Sequence, residues 1–186
     1  MEAVNVRAEV MGRMGLTLLW LFSCSAQAEA EVQVAPDANV IHISATIPTS
    51  VDRKTAWQVL SDYNHWAEFV PDLMVSRVVS QPGEPLLIEQ RGRIPWLPAF
   101  PVVVIATVEE TPNKGLRFQR VAGNIKALEG EWQIQGKFPV RLIYRSTVEP
   151  GFPLPPQMTI DIFRQDTKVR LEAMAQEMAR RAAAGP

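Results

Sequence analysis

The last stretch of this chain, from residue 157 to about residue 183, limits what the rest can fold into. Its apolar side chains fall at Ile160, Phe163, Leu171, Met174 and Met178, spacings that return to one face of a 3.6-residue helix once the small Thr167 is admitted. Pro155 and Pro156 stand just before it, where a missing N–H costs nothing. Asp161 lies in the first turn and Arg180 and Arg181 in the last, matching the helix dipole at both ends. The spacing predicts a rod of about 27 residues and roughly 40 Å. Burying its large apolar side chains is worth on the order of 10 kcal/mol, and only a run of strands upstream offers enough apolar surface. A sheet has to grip this helix.

The first strand is expected at residues 40–47, where Ile41, Ile43, Ala45 and Ile47 alternate with His42, Ser44 and Thr46. Pro48 stops it, and Ser50 is placed to cap a helix in which Ala56, Trp57 and Leu60 share a face. Residues 62–69 read as a turn and a second short helix, closed by Pro71. Strands follow at 73–80, 86–93, 100–109, 116–122, 128–135 and 140–149, separated by segments such as Gln81-Pro82-Gly83 and Gly136-Lys137. Loops this short make neighbours antiparallel. The fold class is therefore α+β: an antiparallel sheet of about seven strands, two short helices after the first strand, and the long C-terminal helix.

Residues 1–28 read as a secretory signal. Arg13 precedes the apolar run from Leu16 to Phe22, which is too short for a membrane span, and Ala26-Gln27-Ala28 has the small-x-small form of a cleavage site. Leu21-Phe22-Ser23-Cys24 also resembles a bacterial lipoprotein box, so the alternative is a lipid anchor at Cys24. Under the first reading the only cysteine leaves with the signal, and export without disulfides points to a periplasm. Residues 29–38 form a polar leader, and residues 39–183 form one domain. The 47% hydrophobic content suits a globular core, and the net charge of −1 gives no basic footprint for nucleic acid.

The catalytic inventory is thin. His42 and His65 are the only histidines, without the spacing of a metal site, and no nucleophile elbow, phosphate loop or dinucleotide fingerprint is present. No cofactor or metal is expected. The positive signal is aromatic and aliphatic: Tyr63, Trp66 and Phe69 after the first helix, Phe118, Trp132 and Tyr144 on strands, and Phe163, Leu171, Met174 and Met178 on the last helix. The bland account of this set is a filled core; the sharper one is a cavity lining, for which adaptable methionines are suited. Arg91, which shares a strand face with Glu89, and Arg120, which shares one with Phe118, are polar candidates. Facing inward, each needs a partner or a ligand head group, whereas on the outer face each is simply solvated, and a one-residue slip in register exchanges the two. Glu129 and Glu131 share the strand face opposite Trp132.

The order of elements and several local motifs resemble the START-like superfamily, also called SRPBCC, and within it the polyketide cyclase/dehydrase-like group related to coenzyme Q-binding proteins. The resemblance rests on Ala56-Trp57-Gln58-Val59-Leu60-Ser61-Asp62-Tyr63 leading to Phe69-Val70-Pro71, then Glu89-Gln90, then Gly123-Asn124 with Leu128-Glu129-Gly130-Glu131-Trp132, and finally Leu142-Ile143-Tyr144. It implies a helix-grip fold: a curved sheet wrapped around the long helix, with an elongated apolar cavity between them. Members bind lipids, sterols, quinones or polyketides there, and some are enzymes.

The expected function is binding, for transport or sequestration, of a hydrophobic small molecule such as a lipid or quinone. The alternative is an aromatase/cyclase-type enzyme in which Tyr144, Arg91 and Arg120 serve as acid or oxyanion partners. Two proline-rich loops are unusually apolar, and Trp96, Leu97 and Phe100 with Phe152 and Leu154 are expected to form the cavity mouth. Such a lip is expected to touch a membrane surface transiently while cargo is exchanged; the alternative is that both loops pack onto the sheet edge and merely close the core.

Overall fold

The computed structural model describes residues 28–94, 97–151 and 155–185, with the side chains of 97–100 and 156 left aside. The expected export signal and the mouth residues Trp96, Phe152 and Leu154 lie outside the described residues, as do the side chains of Leu97 and Phe100.

Eight strands form one antiparallel sheet: β1 (Glu31–Asp37), β2 (Val40–Pro48), β3 (Leu73–Val78), β4 (Leu87–Ile94), β5 (Leu97–Thr111), β6 (Gly115–Gly123), β7 (Ala127–Gln135) and β8 (Arg141–Glu149). Their order across the sheet is β1-β2-β8-β7-β6-β5-β4-β3. From β3 to β8 the chain is a meander; the long connection out of β2 then lets β8 return to lie beside it. That connection carries α1 (Arg53–Leu60), a 3-10 turn over Tyr63–His65, and α2 (Trp66–Phe69). The last element is α3 (Pro156–Ala184), of 29 residues, so the long helix stands as expected.

Two details differ from the sequence reading. The expected polar leader is largely β1, an edge strand paired with β2 from Glu31↔Thr46 to Asp37↔Val40, which makes the sheet eight-stranded rather than about seven. Only Val32 and Val34 point from it towards the core, and both are half-buried. The α1 cap is Asp52, whose Oδ1 accepts from the Thr55 N–H at 2.8 Å, not Ser50. Asp serves as well as Ser there, and only the observed backbone turn decides between them.

The alternation expected of β2 is met: Ile41, Ile43, Ala45 and Ile47 are buried while His42 and Ser44 are exposed. Helix α3 packs lengthwise along β1, β2 and α1. Leu171, Met174 and Met178 are fully buried there, and each contributes on the order of 2 kcal/mol. The carboxylate of Glu177, one turn further on, holds Arg180 Nε at 2.6 Å and Arg181 Nε at 2.7 Å, and Arg181 reaches Asp62 at 2.8 Å. The C-terminal half of α3 is thus fixed to α1 and the turn after it, while the N-terminal half lies over open sheet.

Candidate functional site

Between the first half of α3 and the concave side of β4–β8 lie two adjoining chambers. They share Gln90, Val104, Leu128, Tyr144 and Arg170. The inner one, about 80 Å³, is walled by rings from the sheet and from the segment after α1. The outer one, about 320 Å³, lies against α3 between Ile162 and Arg170 and is bounded across the sheet by Ile94, Val102 and Val148. Its size falls at the lower end of small-molecule sites, roughly 300–1,000 Å³.

Sequence explains why space remains here. Five aromatic rings run in a row: Tyr63 to Trp66 at 5.7 Å, Trp66 to Trp132 at 6.3 Å, Trp132 to Tyr144 at 4.7 Å, and Tyr144 to Phe118 at 6.1 Å and nearly parallel. Rigid rings packed on one another leave a gap that flexible aliphatic chains would have filled. The row depends on Gly130, which faces inward between Phe118 and Ser146 on its neighbouring strands. A Cβ on Gly130 would sit 2.6 Å from Phe118 Cζ and 2.9 Å from Ser146 Cβ, so only glycine lets the Phe118 ring lie across β7.

The polar groups are few and converge. Arg170 lines both chambers from α3, with Nη2 3.4 Å from Asp166 Oδ2 one turn earlier. Gln90 reaches in from β4, its amide donating to Ser76 Oγ at 3.4 Å. Burial raises the Tyr144 phenol above its ordinary value, outweighing the opposite influences of Ser146 and Arg170, so the hydroxyl remains protonated. Ser146 lies close enough to Tyr144 to affect that titration, yet its buried Oγ has no hydrogen-bond partner among the described residues. Tyr63 donates to Glu110 Oε1 at 2.6 Å; burial and that carboxylate both raise its phenol.

Of the residues expected to meet a ligand, Tyr63, Trp66, Phe118, Trp132 and Tyr144 line the inner chamber and Phe163 the outer one. Phe69, Leu171 and Met174 line neither and belong to the packed core. Arg91 stands on the opposite face of β4, exposed, with Nη2 2.6 Å from Glu89, whose carboxylate Arg77 clasps from β3. The β4 sequence is polar on both faces, so alternation alone could not show that Gln90, and not Arg91, points inward. Arg120 sits opposite Ala106 but turns away to donate to Gly123 O at 2.9 Å, and lines neither chamber.

Sequence reasoning passed over Arg170, Gln90 and Ser146. Arg170 follows Phe163 by two helical turns, which places it on the cavity side; that spacing was the available signal. His42 lies on the convex face, 3.3 Å from Thr147 Oγ1, and His65 pairs with Asp62 at 2.5 Å, both outside the chambers. Among the described residues no three His, Cys, Asp or Glu side chains are grouped to hold a metal.

Residues 49–175 match the family described as polyketide cyclase / dehydrase and lipid transport. No curated protein matches the chain. Among solved structures it is similar to the Zhui aromatase/cyclase from Streptomyces sp. R1128, with a TM-score of 0.67 and 14% identity over 78% of this chain and 98% of that one. It is similar to a START superfamily protein from Mycobacterium smegmatis, with a TM-score of 0.63 and 16% identity over 75% and 97%. A STAR-related lipid transfer protein fragment from Xanthomonas axonopodis gives a TM-score of 0.62 and 14% identity over 83% and 95%. Identities this low speak to the fold, which is the START-like helix grip; the matched span is what assigns the sequence, and by it the chain belongs to the polyketide cyclase / dehydrase and lipid transport family.

Proposed function

We propose that this protein binds a hydrophobic small molecule, such as a lipid or quinone, between sheet and α3, and carries or sequesters it without chemical change. The supporting observation is the pair of adjoining chambers with mostly apolar walls and a few converging polar groups. Their modest volume suits a ring or a single chain better than a two-chain phospholipid. The proposal includes export to the periplasm by residues 1–28, and exchange of cargo at a membrane surface through the loops around residues 95–100 and 152–154.

Organic-solvent extraction of the purified protein followed by mass spectrometry tests the reading. It predicts a co-purifying apolar compound, or stoichiometric uptake of an added quinone or fatty acid. Absence of both an extractable compound and uptake would refute it. The second reading, an aromatase/cyclase-type enzyme, draws support from Tyr144 and Arg170 meeting in one cavity. The one lining hydroxyl seen hydrogen-bonded to a carboxylate among the described residues, however, is Tyr63, on Glu110, and burial and that charge both hold its phenol protonated rather than activate it, which favours binding. Turnover of a supplied polyketide-like substrate that is lost in Tyr144→Phe, with binding retained, would reverse that preference.

A further inference from the structure

We infer that the cavity selects a neutral molecule with a carbonyl oxygen, held where the two chambers meet, over a free carboxylate or a plain hydrocarbon. This rests on the binding reading above and narrows it to a ligand class. Tyr144, Arg170 and Gln90 all line the junction, and Ser146 lines the outer chamber beside it.

Donors predominate among these groups. Burial keeps the Tyr144 phenol protonated, so it can donate. A guanidinium carries more N–H groups than its single 3.4 Å contact with Asp166 uses. Ser146 is only 5% exposed and its Oγ has no partner among the described residues. A buried hydroxyl left in that state is a standing cost which a ligand oxygen would remove and a hydrocarbon would not.

Charge separates the remaining candidates. The guanidinium of Arg170 is already offset by the Asp166 carboxylate, so the junction carries no net positive charge. A free carboxylate would enter a half-buried space beside Asp166 with no unmatched cation to receive it. A carbonyl oxygen accepts from the same donors and brings no charge. The apolar remainder of the ligand then lies against the rings of Trp132 and Phe118.

Three probes of equal chain length separate the cases: methyl nonyl ketone, undecanoate and undecane, each titrated against the change in total tryptophan emission at neutral pH, to which Trp66 and Trp132 contribute from the cavity wall. The ketone is expected to bind about tenfold more tightly than either other probe, the effect of one or two net hydrogen bonds. Ser146→Ala and Tyr144→Phe should each cut that advantage to about threefold or less, with folding checked by circular dichroism. Asp166→Asn should raise undecanoate affinity by freeing the Arg170 charge. Equal affinities, a preference for undecanoate in the parent protein, or no response to Asp166→Asn would overturn the inference and leave apolar binding intact. Failure of all three probes to bind would overturn the binding reading and this inference together.

Discussion

Replacing Gly130 by alanine tests whether the ring row is built as described. The new Cβ would meet the backbone carbonyl oxygen of Arg145 inside any allowed approach, Phe118 Cζ at 2.6 Å and Ser146 Cβ at 2.9 Å. A Phe118 ring can turn away, but the Arg145 carbonyl belongs to the β7–β8 ladder and cannot move without parting two central strands. Overpacking of this kind costs typically about 1–3 kcal/mol, and the involvement of backbone puts this site in the upper part of that range. For a domain of this size each kcal/mol lowers Tm by roughly 2–4 °C, so Gly130→Ala should melt about 4–12 °C below the parent. Far-UV circular dichroism on heating measures the drop, and near-UV signal from Trp132 and Tyr144 should weaken as their stacking is disturbed. A Tm within about 1 °C of the parent, with unchanged near-UV spectrum, would show that the Phe118 ring does not lie across Gly130 and that the cavity wall is arranged differently.

Three further outcomes follow from the same structure. Met174→Ala, at a side chain with no exposed surface, should lose about 2–5 kcal/mol in urea unfolding, while affinity per folded molecule for an apolar probe stays within about twofold because Met174 lines neither chamber. The Glu177 carboxyl is held down to about 2 by its hydrogen bonds to Arg180 and Arg181, which outweigh burial. A depressed carboxyl gives stability that is present above the unfolded value of 4.5 and lost as pH falls towards 2, so Glu177→Gln should flatten the acid limb of a stability–pH curve. His65 is raised by its hydrogen bond to Asp62 and by that residue's charge, so an NMR titration should place it above 6.5; Asp62→Asn should bring it back. The stability His65 contributes is full below 6.5 and disappears as pH rises through the elevated value.

The parts of the fold legible in the sequence are those where one face is apolar and the other polar. In β2 the alternation from Ile41 to Ile47 fixes both strand and facing, and in α3 the stripe from Phe163 to Met178 fixes the helix and its buried side. Strand β1 was harder to see because an edge strand is stabilised by backbone pairing, which leaves little trace beyond Val32 and Val34. The rings of the inner chamber were legible as large apolar side chains at strand and turn positions, though sequence could not separate them from Phe69 and Met174, which serve as filler. The polar members of the site were the least legible. On β4, Glu89, Gln90 and Arg91 are all polar, so their pleat has no sign until the sheet is assembled. Arg170 shares a helix face with Phe163, but a charged side chain there reads equally as the solvated edge of the stripe until the sheet curves beneath it.

The pairing of β1 on β2 bears on solubility. Lys168 reaches Glu29 at 2.5 Å and Glu172 accepts from the Ala30 N–H at 3.4 Å, so α3 straps down the approach to a strand whose own inward side chains bury little surface. Beneath it β2 carries four buried apolar residues and a full row of backbone donors and acceptors. If β1 peels away, that row becomes a template for a second molecule, and β2 is long and regular enough to propagate such pairing. Strand β1 therefore acts as a cover against self-association: Lys168→Glu, which repels Glu29 and Glu172, should raise light scattering on storage at concentrations where the parent stays clear, before any loss of helix signal.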